Sequence, residues 1–169
     1  SAYLRTGLAG LTPEETDTLQ NYVLLWSLRG GAWTRPEPWR QHPDGYGAEY
    51  DEETNARLER INALRRRLAG PLLDFERESA AAETAQGQAA ALAMFFARLK
   101  LPELLEARAA ALADEGRGAL AQEYVQLWGI ITAALEQSAA ILGGSEMTRE
   151  EFGRLFNLTL SKYDIGTIP

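Results

Sequence analysis

The sequence predicts an all-α fold, with six or seven helices in a bundle-like array and one long loop rich in tryptophan and proline. Three observations lead there. Alanine-rich stretches are long, and alanine is the best intrinsic helix former. Apolar residues recur at three- and four-residue spacing through most of the chain. Two capping boxes, Thr12 with Glu15 and Thr148 with Glu151, mark helix starts, because threonine and glutamate reciprocally satisfy orphan amides there.

The elements follow in order. Pro13 suits the first helical position behind Thr12, and Leu19, Tyr22, Val23 and Trp26 share one face until Gly30-Gly31 ends the helix. Residues 32–50 hold three prolines, two glycines and no period, so they read as a long loop. Asp51 caps the next helix, whose apolar stripe is Leu58, Ile61, Leu64 and Leu68. Gly70-Pro71 is expected to break or kink that helix before "PLLDFERES" resumes it. A fourth helix places Leu92, Phe95, Phe96 and Leu99 inward, with Met94 also read as core. Pro102 opens a fifth, which stops at Gly116. The longest, from Gly118, carries Leu120, Tyr124, Leu127, Trp128, Ile131 and Leu135 and is expected to be central, with Gly143-Gly144 as its cap. Phe152, Leu155, Phe156 and Leu160 form the last helix. Tyr163, Ile165 and Ile168 then read as a strand-like stub.

Composition narrows function. The 169 residues carry 17 basic and 24 acidic side chains, a net charge of −7. That argues against a surface built throughout to grip phosphates, although a local basic patch remains compatible. There is no cysteine, which removes disulfides, thiolate metal sites, iron–sulfur clusters and cysteine nucleophiles together. A chain of this length buries roughly 70% of its unfolded surface and needs no such staples. No uninterrupted apolar run approaches 18 residues, and "SAYLRTGLAG" lacks signal-peptide character, so a cytoplasmic protein without a membrane role is expected.

The constellations that chemistry requires are missing. No glycine loop ends in Lys-Ser or Lys-Thr, so no phosphate-cradling nucleotide site is visible. His42 is the sole histidine, cannot build a histidine-rich metal site, and reads as a solvated loop residue. The glutamate pairs at helix starts are explained by the macrodipole. The expectation is therefore no catalytic residue, no metal and no cofactor.

Two segments merit separate reading. The loop rings Trp33, Trp39, Tyr46 and Tyr50 most simply tack the loop to the helices. Alternatively they form a stacking platform for bases, with Arg29, Arg35 and Arg40 on the phosphates. On the following helix Arg57, Arg60, Arg65, Arg66 and Arg67 read as a solvated face, with Arg60 and Arg67 on one flank. The candidate DNA contacts are thus Arg29, Trp33, Arg35, Trp39, Arg40, Arg60 and Arg67.

The stretch "YLRTGLAGLTPEETDTLQNYVLLWSLRGGAW" resembles a block in the AddB (RexB) subunit family of bacterial AddAB-type ATP-dependent helicase–nucleases. The matching pieces are Tyr3–Leu8, Gln20–Leu24, and Arg29-Gly30 with Trp33. The closing "MTREEFGRLFNLTLSKYDIGTIP" resembles the family segment that leads into a strand of the second motor-like lobe. The resemblance implies that residues 1–169 are a single helical domain excised from a larger subunit, an insertion of that lobe. Residues 1–11 and 163–169 would connect it to the parent. It further implies a role in double-strand-break repair, with DNA, the partner subunit and the remaining lobes of its own subunit as partners. The family's nuclease site and iron–sulfur cysteines lie outside this segment, so no catalytic residue carries over. The competing expectations are a stand-alone acidic helical interaction module and, third, a helical enzyme using His42.

Overall fold

A computed structural model describes residues 10–163. The readings placed on Tyr3–Leu8, Ile165 and Ile168 lie outside the described residues, as does most of each proposed connection. Among the described residues there are six α-helices and no strand, so the fold is all-α. The chain divides into two compact units, Ser1–Leu73 and Asp74–Pro169.

The first unit contains α1 (Pro13–Leu25), a 3₁₀ turn (Gly30–Ala32), the irregular loop, and the first part of α2 (Glu52–Ala81). The Thr12–Glu15 capping box forms as expected, with Thr12 N–H donating to Glu15 Oε2 at 3.0 Å and Glu15 N–H to Thr12 Oγ1 at 3.2 Å. The helix ends at Leu25 and not at the glycine pair. Ser27 adopts φ +49°, and Leu28 N–H turns back to the Val23 carbonyl at 3.0 Å while Ser27 N–H reaches Leu24 at 3.2 Å. This is a Schellman cap formed on serine, followed by a buried apolar residue, Leu28, that anchors the turn. The core is Leu19, Tyr22, Leu28, Trp39, Leu58, Ile61, Leu64 and Leu68. The whole expected stripe of α2 is therefore buried, each such side chain contributing about 1.5–3 kcal/mol.

Helix α2 runs unbroken through Gly70-Pro71, which corrects the expected break. Proline removes one amide donor, leaving the Arg67 carbonyl without its helical partner, and Arg67 lies on the exposed side where water can take its place.

The second unit holds the end of α2, then α3 (Ala85–Arg98), α4 (Leu101–Asp114), α5 (Gly118–Leu142) and α6 (Arg149–Leu160). Helix α5 packs against α3, α4 and α6, which makes it the hub of this unit. One cluster joins Ala85, Ala89, Ala134, Leu135, Phe152 and Phe156. On α4, Leu101, Leu105, Ala109 and Leu112 are buried. Alanine at the crossing positions lets the backbones approach closely, with the phenylalanines of α6 filling the remaining space.

Two expectations fail in this unit. Met94 is 52% exposed and not core, because the buried face of α3 is Ala85, Gln88, Ala89 and Ala91. Gly143 is right-handed (φ −50°, ψ −42°), so no left-handed glycine caps α5. Its carbonyl accepts from Gln86 N–H at 3.1 Å, and the Ser145 carbonyl accepts from Ala85 N–H at 3.1 Å. The turn after α5 thus supplies acceptors for orphan amides of α3, and Gln86 Cβ stands 3.8 Å from where a Gly143 Cβ would sit. Met147 N–H closes the same junction on the Glu83 carbonyl at 2.9 Å.

By length and composition α5 could cross a membrane: 25 residues, a mean hydropathy of 1.3 in its most apolar window, 17% of that window buried. It also carries Glu123 and Glu136, and a carboxylate at mid-bilayer costs about 2.5–3.5 kcal/mol.

Candidate functional site

The long loop is not structureless in its bonding. It is held onto α1 and α2 by buried polar side chains, each spent on loop backbone. Asn62, on the core face of α2, accepts from Trp39 N–H at 2.8 Å and donates to the Trp39 carbonyl at 2.9 Å. It pairs with that peptide much as a neighbouring strand would. Arg65, 5% exposed, donates to the carbonyls of Trp33 at 3.0 Å, Glu37 at 2.8 Å and Arg35. Its guanidinium also lies 5.1 Å from the Trp39 ring centroid. Burial, then the Arg35 and Arg66 charges, push the Arg65 pKa down. A guanidinium nevertheless stays charged at any ordinary pH, so three carbonyl dipoles solvate it in place of water.

His42 is the third pin, which overturns its reading as a solvated residue. It is 5% exposed. Asp44 N–H donates to Nδ1 at 3.0 Å, so that nitrogen is bare and Nε2 carries the proton, donating to the Glu49 carbonyl at 3.1 Å. Thr54 Oγ1 lies 3.3 Å from Nε2. Both ring nitrogens serve the loop, and neither is free to act as a base. Outside the knot, Arg57 forms a two-pronged pair with Asp44, both bonds at 2.9 Å, which lowers the Asp44 pKa. Asp51 caps α2 through Thr54 N–H at 2.7 Å and is likewise lowered by that bond.

The seven candidate DNA contacts separate under this geometry. Trp39 is 1% exposed, stacked on Tyr22 at 5.5 Å, with Trp33 edge-on at 5.2 Å and its Nε1 donating to the Ala32 carbonyl at 2.8 Å. Its ring is core and offers no face to a base, a correction to the sequence reading. Trp33 is half-buried against it. Arg67 is exposed but engaged by Glu15 at 3.4 Å and by the Gly10 carbonyl. Arg29, Arg35, Arg40 and Arg60 are exposed and form no ion pair among the described residues.

Two hollows take in three of these four. A hollow of about 710 Å³ has Arg35 and Arg40 on its wall with Trp26, His42, Tyr46, Tyr50 and the acidic Glu37. Tyr50 donates to the Arg40 carbonyl at 2.7 Å. A smaller one of about 310 Å³ sets Arg57 and Arg60 opposite Thr18, Asn21 and Tyr22. Arg29 lines neither.

Sequence reasoning missed Arg65 as a staple, although a signal was present. Leu58, Ile61, Asn62, Arg65, Leu68 and Ala69 are all buried, and their spacings of three and four place them on one helical face. An arginine seven residues after Leu58 and four after Ile61 sits in the apolar stripe, whatever its arginine neighbours do. No comparable signal marked His42, because its partners lie in an aperiodic loop.

No protein-family model matches this chain. Curated relatives do. The chain is 32% identical, over 99% of its length, to the AddB subunit of the ATP-dependent helicase/deoxyribonuclease of Acetivibrio thermocellus. It is 34% identical to the same subunit from Desulforudis audaxviator and 30% identical to that of Clostridium acetobutylicum, again over 99% of the chain. In each case the chain spans about 15% of the relative's length. Matched end to end with one segment of these larger proteins, the chain belongs to the AddB family of ATP-dependent helicase/deoxyribonuclease subunits.

Proposed function

We propose that this chain is a noncatalytic accessory domain, a helical insertion, of an ATP-dependent helicase–deoxyribonuclease subunit acting in double-strand-break repair and recombination. The observation that carries the reading is the match of 99% of the chain to about 15% of its AddB relatives. One feature supports a noncatalytic role: the sole histidine has both ring nitrogens committed to loop backbone. ATP turnover and strand cleavage then belong to the remainder of the larger protein, and this segment needs no cofactor of its own. Its partners are DNA, the partner subunit and the remaining lobes of its own subunit, in the cytoplasm and away from membranes.

The first unit is the part suited to DNA. It carries nine arginines against ten carboxylates, a net of −1, whereas the second unit carries eight basic against fourteen acidic residues, a net of −6. Phosphate contact through Arg29, Arg35, Arg40 and Arg60 would release counterions and therefore weaken steeply with salt. Fluorescence anisotropy of the 169-residue chain with a labelled forked duplex, at two salt concentrations, tests this. Binding at low salt that falls at high salt, and falls further when the four arginines become alanine, is the expected result. No binding at low salt would remove DNA contact and leave a scaffold that positions the rest of the subunit.

A further inference from the structure

We infer that the larger hollow of the first unit is a single-strand site, in which unstacked bases lie on Tyr46 and Tyr50 while Arg35 and Arg40 meet the phosphates. This rests on the DNA reading above and goes further, since it names the strand form and the rings that hold it.

Tyr46 carries the argument. It is 92% exposed, more than any other large apolar or aromatic side chain among the described residues. Its backbone is shaped by glycine, Gly45 and Gly47 on either side having φ +98° and +82°, and Gly45 N–H donates to the His42 carbonyl at 3.1 Å. The ring meets Trp26 in a T-shaped contact, centroids 4.6 Å apart and planes at 65°, and its 92% exposure leaves most of its surface open. Trp26 is itself fixed by its Nε1 bond to the His42 carbonyl at 2.9 Å. Tyr50, 55% exposed, is fixed by its hydroxyl on the Arg40 carbonyl and by an edge contact with His42 at 5.0 Å. Two presented rings, with two exposed guanidiniums on the same wall that form no ion pair among the described residues, match how single strands are gripped: stacking for bases, positive charge for the backbone. A hollow of about 710 Å³ has room for more than one base. Duplex DNA keeps its bases stacked inside and would leave these rings unused.

The test compares four oligonucleotide probes of one length binding to the 169-residue chain: a mixed-sequence strand, the same strand with 2-aminopurine, an abasic strand, and a blunt duplex. The expected result is that the mixed strand binds best, 2-aminopurine fluorescence is quenched on binding, and the abasic strand is much weaker. Tyr46→Ala should weaken the mixed strand by about 5- to 150-fold and leave the abasic strand unchanged. Tyr46 is almost wholly exposed, so the variant should fold; an unchanged circular dichroism melt checks this. Equal binding of mixed and abasic strands, with no effect of Tyr46→Ala, would overturn the single-strand site while leaving phosphate contact intact. Absence of binding to every probe at low salt would overturn both readings. Loss of partner-subunit capture in Tyr46→Ala, without loss of strand binding, would make the hollow a protein-docking surface and overturn the inference.

Discussion

The two units are both helical, yet they use buried polar groups to different extents on loop backbone. In the first, Asn62 and Arg65 reach across 23 to 32 residues of chain to bind loop backbone. His42 binds within its own loop and lies against Thr54. In the second, Ser138 and Thr159 donate to the carbonyls four residues earlier in their own helices, at 2.7 and 2.9 Å. Among the described buried polar side chains there, Ser79 and Gln88 span an element boundary, Ser79 Oγ donating to Gln88 Oε1 and Gln88 Nε2 donating to the Ser79 and Ala82 carbonyls. The difference teaches what an aperiodic segment demands. Helices satisfy their own amides and carbonyls, so α3 to α6 need apolar contact. A loop does so only in part, as Gly45 N–H does on the His42 carbonyl, and side chains supply partners for other peptides it buries.

The largest test of that contrast is Trp39→Ala. It empties the centre of the first unit and should cost about 3–5 kcal/mol in urea unfolding. A loss below about 1 kcal/mol would mean the loop is not packed as described.

Next comes a matched pair. Asn62→Leu keeps the volume but strands the Trp39 N–H and carbonyl, at a cost of about 2–3 kcal/mol. Ser138→Ala removes only a second bond to a carbonyl already accepting within its helix, and should cost less than about 1 kcal/mol. Equal losses would erase the distinction between the units.

A titration sharpens it further. Burial, with the Tyr50 phenol adding to it, pushes the Tyr22 hydroxyl up to about 12. The folded state thus favours neutral Tyr22. Its stabilisation is complete below the ordinary value of 10.0 and is lost as pH rises through about 12. Urea midpoints should fall between about pH 9 and about pH 11, and Tyr22→Phe should remove part of that fall. On the acid side both units weaken together. Arg57 lowers Asp44, Thr54 lowers Asp51, Arg98 lowers Glu78 and Thr148 lowers Glu151. Stability from these depressed carboxylates is present above their ordinary values and is lost as pH falls below them. An acid loss confined to one unit would contradict this.

The smallest effect is expected at Met94→Gln, within about 0.5 kcal/mol of the parent, because the side chain is exposed. A large loss would restore Met94 to the core.

The family, the all-α class, both capping boxes and the α2 stripe were legible from residue order, because each depends on spacing of three to four residues or on residue order itself. The same local logic misplaced the end of α1, since it expected glycine to stop the helix and could not see Leu28 folding back into the core. It also misplaced Met94, because an apolar residue on an amphipathic helix is buried only where another helix arrives.

By itself the sequence determined where helices start, which faces are apolar, and which family the chain joins. Capping and periodicity act within a single turn, and family resemblance is carried by the order of residues. Only the tertiary structure decided which arginine is a staple and which stand exposed, that His42 is a buried pin, that Trp39 is core, and that Tyr46 stands outside. Those outcomes depend on which loop peptides approach α2. That approach is set by packing between residues more than twenty positions apart, beyond the reach of any local rule.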